Sequence, residues 1–197
     1  MVVYRIDHQW QANLVDLGKL TSYNKRFNYL LTCIDVLSRY AWVVLLKGKT
    51  WKTLKEAFQV IFKSGRHPIR LQTDKGTEFT NRVLKEHDVH FFTTYNEETK
   101  ASIVERFNRT LKTKMWKYLT HRETLTYVDV LSEMVASYNH TVHRTIGIPP
   151  AEVTWANQTT VSRGYMEERD PKNRANFLLV HCKEEKKPPD HSRFPAI

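Results

Sequence analysis

Runs of apolar, β-prone residues separated by polar segments predict five β-strands. The first two runs are separated by the polar stretch "GKLTSYNKR", and this spacing predicts that they pair antiparallel. The five predicted strands are Trp10–Leu17, Phe27–Leu37, Tyr40–Lys47, His67–Asp74 and Val89–Thr94.

The hydrophobic period changes to that of a helix in four other segments. They are Lys49–Ser64, Asn81–Asp88, Ser102–Thr120 and Thr126–His140, the last closed by paired prolines. This order of elements predicts an α/β fold, with a five-stranded mixed sheet flanked by helices. We expect one domain over residues 1–158. Residues 159–197 carry charges without a period and predict a loosely ordered C-terminal extension, in which "NFLLVHC" could form one strand.

The charge balance favours a polyanionic partner. The chain carries 31 Lys and Arg against 21 Asp and Glu, a formal net charge of +10. Nucleic acid is the usual partner of such a chain, although acidic membranes and acidic proteins stay open. The longest apolar run, Ala41–Leu46, is too short to cross a bilayer, so we expect no membrane association. Cys33 and Cys182 form no Cys-x-x-Cys pair, which favours a reducing, intracellular compartment.

The helix that begins at Ser102 carries a basic face with one carboxylate. Seven Lys or Arg and one acidic residue, Glu105, lie between residues 100 and 122. At about 100° per residue, Glu105 shares a face with Arg109, Lys112 and Trp116, away from the core face. A solvated basic helix with one ion-paired glutamate is the ordinary interpretation. A metal-binding carboxylate flanked by phosphate-binding cations is the sharper one.

Four isolated residues carry weaker signals. Asp74 ends a predicted strand, where α/β sheets place functional side chains, but an Asp before Lys-Gly can also cap a turn. His140 and His143 are expected to cap or line a helix end rather than to bind zinc. Trp116 could stack on nucleic acid bases, although burial is the favoured role.

Four motifs taken together are more specific than any of them alone. "WQANLVD", "LTCIDVLSRYAWV", "TDKGTEF" and "VERFNRTLK" follow one another in this order. Their succession resembles the catalytic core of retroviral-type integrases, over about Tyr4 to Trp155. The likeness looks closest to the integrases of Polinton or Maverick transposons. A nuclease of the ribonuclease H type would share the fold, but "VERFNRTLK" argues against it.

The resemblance implies a ribonuclease-H-like fold and a nuclear, DNA-binding protein that forms a dimer or a larger homo-oligomer. It also implies an Asp, Asp, Glu triad that binds two Mg²⁺ or Mn²⁺ ions for DNA strand transfer. By position, Asp74 matches the second aspartate and Glu105 the glutamate. Arg109 and Lys112 match positions that contact the DNA end, and the neighbouring cations Arg106 and Lys75 are further DNA-binding candidates.

The departure from the family pattern is Asn13, which stands where the first aspartate is expected. An amide removes one negative charge from a site for two dications. Asp16 lies at the wrong strand parity, Asp7 lies about 20 Å away by strand geometry, and Asp35 is a weak candidate substitute. The segment between Asp74 and Glu105 is also shorter than usual. We therefore expect impaired strand transfer, or alternatively an inactive, domesticated DNA-binding or self-associating protein.

Overall fold

The computed structural model describes residues 3, 5–73, 89–93 and 102–169 of the chain. Its sheet has five strands in the order β3-β2-β1-β4-β5. The first three pair antiparallel, whereas β4 and β5 run parallel to β1, so the predicted mixed sheet is confirmed. The strands are β1 (Gln9–Asp16), β2 (Tyr29–Asp35), β3 (Ala41–Leu46), β4 (Arg70–Thr73) and β5 (His90–Thr93).

Helices flank the sheet, a short 3-10 helix at Gly18–Tyr23 lies between β1 and β2, and another lies at Pro150–Glu152. The α-helices are α1 (Trp51–Phe62), α2 (Ser102–His121), α3 (Leu131–Asn139) and α4 (Gln158–Arg169). Thr50 caps α1 by accepting a hydrogen bond from the Thr53 N–H. The helix predicted at 81–88 lies outside the described residues.

Two hydrophobic cores lie on opposite faces of the sheet, because strand side chains alternate between the faces. Trp10 and Ala12 of β1 pack with Leu54 and Phe58 of α1 on one face. Val15 packs on the other face, in the core that includes the buried side of α2 and part of α3. Residues 9, 11, 13 and 15 of β1 therefore face α2, and this alternation decides where the polar side chains of β1 point.

A buried polar network closes the end of the sheet where β1 begins. The Arg66 guanidinium donates two hydrogen bonds to the Asp7 carboxylate, from Nη2 to Oδ1 at 2.7 Å and from Nε to Oδ1 at 3.0 Å. Asp7 also accepts from the Trp10 indole N–H at 2.9 Å. Asp35 is fully buried and accepts from the Ser38 N–H at 2.7 Å and the Asp7 N–H at 3.1 Å. These contacts tie β1, β2 and the residues before β4 together.

The C-terminal boundary differs from the prediction. Helix α4 spans Gln158–Arg169, so the expectation of a loose extension from residue 159 is wrong for its first residues. The Gln158 side chain accepts from the Ile6 N–H at 3.0 Å, and Val161 packs in a small third core with Val3 and Leu37. Two long-range contacts therefore anchor a helix whose sequence is largely polar. The predicted strand "NFLLVHC" lies outside the described residues.

Candidate active site and basic surfaces

Asn13 lies on β1, on the face that α2 covers, and its side chain is half-buried. Its backbone carbonyl accepts from the Thr32 hydroxyl at 3.1 Å. In the parallel ladder, Ala12 pairs with Thr73, the last described residue of β4. The described part of β4 therefore ends beside Asn13. Asp74 and Lys75 lie outside the described residues, so the convergence of Asn13, Asp74 and Glu105 stays a prediction.

Gln11 fixes the beginning of α2 against β1. It is buried, and its Oε1 accepts from the backbone N–H groups of Ile103 at 3.0 Å and Val104 at 3.1 Å. Its Nε2 donates to Oε1 of Gln72 on β4 at 3.0 Å. The first N–H groups of a helix have no partner within the helix, so this side chain acts as a cap supplied from the sheet. Glu105 follows directly, in the first turn of α2.

Sequence reasoning did not identify Gln11, although one signal was available. Gln11 precedes Asn13 by two residues, so both side chains lie on the same face of β1. A polar residue at a core-facing strand position needs a hydrogen-bonding partner, and here the partner is the start of α2. This contact positions the first turn of α2, in which Glu105 is exposed on the same side of the sheet as Asn13.

The carboxylates in and before β1 and β2 make contacts of their own and do not lie beside Asn13. Asp16 is exposed and accepts from the Gly18 N–H at 2.7 Å. Asp7 is held by Arg66, as described above. Asp35 pairs with Trp10 rather than with Asn13, which places it about 10 Å along the strand from Asn13. Its hydrogen bonds from the N–H groups of Asp7 and Ser38 place this carboxyl in the structural network, where burial raises the pKa of Asp35 to about 6. The proposed substitution by Asp35 is therefore wrong.

The Glu105 face of α2, formed by Glu105, Arg109, Lys112 and Trp116, is a solvent-exposed surface. All four side chains are exposed, and Trp116 retains 51% of its accessible surface. Burial of Trp116, the role that the sequence favoured, is therefore wrong. A planar ring beside two cations and one carboxylate is a surface that can contact both phosphates and bases.

Arg106 does not belong to the Glu105 face. It lines a cavity between α2 and the end of α3, together with Arg39 and His143. The sequence grouped Arg106 with Arg109 and Lys112, but a step of about 100° per residue turns adjacent side chains away from each other. The predicted placement at a helix end is confirmed for His140. His140 lies at the C-terminal end of α3, with Nδ1 at 2.9 Å from the Ala136 carbonyl, and His143 follows in the next loop.

The described part of the proposed site supplies few of the oxygen ligands that two divalent cations require. Mg²⁺ prefers anionic oxygen ligands, and the described part of the proposed site offers the Glu105 carboxylate and the Asn13 amide. Across residues 3, 5–73, 89–93 and 102–169, no group of three His, Cys, Asp or Glu side chains could hold a metal ion. The described residues alone therefore do not provide a complete metal site.

Comparisons with known proteins agree on one family. The family model described as "Integrase core domain" matches residues 4–140. An uncharacterized transposon-derived protein of Caenorhabditis elegans is 42% identical over 135 residues, covering 66% of this chain and 47% of that protein. The retrovirus-related Pol polyprotein from transposon 297 of Drosophila melanogaster is 24% identical over 136 residues, covering 66% of this chain and 13% of its own length. The chain thus spans less than half the length of these relatives.

Solved structures share the fold at low sequence identity. The intasome of simian T-cell lymphotropic virus, solved with the PP2A subunit B56 gamma, aligns with a TM-score of 0.67 at 20% identity, covering 77% of this chain and 55% of that one. The HTLV-2 integrase catalytic core, solved with magnesium, aligns at 0.61 and 20% identity, covering 75% and 95%. Within the described residues, no helix is both long and apolar enough to span a bilayer.

Proposed function

We propose that this chain, which belongs to the integrase core domain family, binds DNA and retains an impaired strand-transfer site. The ribonuclease-H-like fold of its structural neighbours and its transposon-derived relative support an integrase-type function in a mobile element. The hydrogen bonds from Ile103 and Val104 to Gln11 carry the proposal, because they hold Glu105 on the side of the sheet where Asn13 points. The closer likeness to Polinton or Maverick integrases stays a prediction.

In the proposed site, Asp74 and Glu105 hold the divalent cation, Mg²⁺ or Mn²⁺, and Asn13 supplies an amide oxygen. When bound, a pair of such ions activates the attacking hydroxyl and stabilises the leaving oxygen of a phosphoryl transfer. A carboxylate at position 13 would give the site three negative charges, whereas the chain as it stands gives it two. With less charge compensation, occupancy of at least one ion falls, and strand transfer falls with it.

The proposed DNA surface is the Glu105 face together with Lys75. Arg109 and Lys112 are exposed beside Glu105, where they can contact the phosphates of a DNA end close to the site. We also propose a nuclear location and self-association as a dimer or larger oligomer. The trimeric and dimeric forms of the HTLV-2 core support the self-association, since this chain shares their fold.

A second candidate function is an inactive, domesticated protein that binds DNA or itself. The observation that favours it is the engagement of Asp7, Asp16 and Asp35 in other contacts, which leaves the loss at Asn13 uncompensated on β1 and β2. The two candidates share the fold and the DNA surface. They differ in whether restoring one carboxylate restores chemistry.

The test compares the chain with its Asn13→Asp variant in two measurements. Calorimetry measures Mg²⁺ and Mn²⁺ binding, and a joining assay measures transfer of a labelled DNA end into a target duplex. We expect weak metal binding and little joining by the chain itself, and a gain of both in Asn13→Asp. Gln59→Glu is the matched control, because it makes the same change from amide to carboxylate on the exposed surface of α1.

Each outcome separates the candidates. Robust Mg²⁺-dependent joining by the unaltered chain would contradict the impairment. Tighter metal binding in Asn13→Asp without joining would favour the domesticated protein. Failure of the chain to bind duplex DNA in an accompanying anisotropy titration would overturn the strand-transfer function and the DNA-binding form of the second candidate, and would leave only self-association.

A further inference from the structure

A second basic surface lies on α2, away from the Glu105 face. A half-open cavity of about 290 Å³ lies between α2, the end of α3 and the loop at residues 141–145. Its apolar lining comes from Ile34, Ile103, Phe107, Tyr138 and Val142. Arg106 and Lys114 line it from α2, Arg144 from the loop, and Arg39 from the turn between β2 and β3. Arg39 is only 5% exposed, so its guanidinium belongs to the wall of the cavity rather than to the outer surface.

The charge around this cavity is one-sided. Arg39, Arg106, Lys114 and Arg144 line it, and no carboxylate does among the side chains that the structure describes there. His143 also lines the cavity. Burial, followed by the positive charges of Arg39 and Arg106, lowers the pKa of His143 to about 4. The imidazole is therefore neutral at pH 7, and the cavity concentrates positive charge from four other side chains.

We propose that this cavity binds a phosphate group. Guanidinium and ammonium groups are the usual protein ligands of phosphate, and arginine can bind two of its oxygens at once. Free phosphate carries up to two negative charges at neutral pH and a phosphodiester carries one, and both present oxygens that several cations can bind. The volume equals roughly ten water molecules at about 30 Å³ each, which accommodates a phosphate and part of the molecule that carries it.

This site is separate from the Glu105 face. At about 100° per residue, Arg106 and Lys114 project about 100° and 180° around α2 from Glu105, whereas Arg109 and Lys112 remain within about 40° of it. A duplex bound along the Glu105 face therefore presents its phosphates to a different side of the helix. The inference does not rest on the proposed strand transfer, and it applies equally to a phosphodiester of a second DNA segment and to a free phosphate.

The experiment titrates the full ¹⁵N-labelled chain with inorganic phosphate and, separately, with a short DNA duplex. Nuclear magnetic resonance follows the backbone amides of Thr141 and Thr145 and the ring of His143. The test variant combines Lys114→Gln and Arg144→Gln, which leaves the buried Arg39 in place so that the fold is kept. The control combines Lys52→Gln and Arg163→Gln, which removes the same charges from exposed positions on α1 and α4.

We expect saturable shifts at the three cavity residues with phosphate, and a dissociation constant at least about tenfold weaker in the test variant but unchanged in the control. Shifts of the same residues by duplex, reversed by excess phosphate, would support the site and assign a DNA phosphodiester as its source. Shifts by phosphate alone would support the site with a free phosphate as its source. No localised shift with either probe, or equal weakening in test and control variants, would overturn the proposal.

Discussion

Replacing Gln11 with leucine tests how the first turn of α2 is held. Leucine keeps a comparable buried volume but cannot accept the hydrogen bonds of Ile103 and Val104. A buried donor without a partner costs about 1–3 kcal/mol. Val104 is fully buried and cannot recover the bond from water, whereas Ile103 is half-buried and can recover part of it. We therefore expect the free energy of unfolding to fall by about 2–4 kcal/mol, including the lost bond to Gln72.

The assay is urea unfolding followed by circular dichroism, with amide hydrogen exchange as a local measurement. Gln9→Leu is the matched control, because the Gln9 Nε2 donates to the same Gln72 oxygen at 2.9 Å. Within the described part of the chain, Gln9 makes no hydrogen bond to α2, so we expect a loss of about 1 kcal/mol and unchanged exchange at Ile103 and Val104. Equal losses in the two variants, or slow exchange of both amides in Gln11→Leu, would refute the capping role.

Three other predictions concern the surface and the buried network. Replacing Arg109 and Lys112 with glutamate should weaken duplex binding and reduce the slope of log affinity against log salt by about two, and an unchanged slope in anisotropy titrations would contradict the DNA surface. Burial raises the pKa of Asp35 from 3.8 to about 6, so folded Asp35 keeps its proton to a higher pH than unfolded Asp35 does. Its contribution to stability therefore falls as the pH rises from about 4 to about 6. Denaturation across this range should show that the free energy of unfolding of the chain falls with rising pH relative to that of an Asp35→Asn variant. Parallel plots of this free energy against pH for the two proteins would be inconsistent with that pKa. Arg66→Met should cost about 3 kcal/mol in thermal or urea unfolding, whereas Lys25→Met, which removes an ion pair that is mostly exposed, should cost less than about 1 kcal/mol, and similar losses would argue against the network.

Local sequence patterns were sufficient to predict the elements that have a regular hydrophobic period. The alternation in β1 and the helical period of α1 predicted both to within a few residues. The start of α3 was predicted at Thr126 but lies at Leu131, and the N–H groups of Tyr127 and Val128 in the preceding segment donate to the buried side chain of Asn24. That contact joins residues more than 100 positions apart, and no local pattern contains it.

The same distinction applies to the candidate site. The motif "VERFNRTLK" indicated Glu105, Arg109 and Lys112, since helical spacing places them on one face. Gln11 was not predicted because its role depends on Ile103, which lies 92 positions away. Arg106 was predicted to bind DNA with Arg109 and Lys112, and the cavity that it lines could not be predicted because Arg39, Tyr138 and His143 come from distant parts of the chain.

The separation of Asn13 from the network of Asp7, Asp35 and Arg66 bears on how such a chain can evolve. The network lies at the start of β1, and Asn13, the position of the proposed metal ligand, lies about 10 Å further along the strand. Selection for a folded protein and selection for DNA joining therefore act on different codons. Asparagine and aspartate codons differ by a single base. One point mutation can thus exchange the amide and the carboxylate at position 13 in a lineage, and the network that stabilises the start of β1 stays intact.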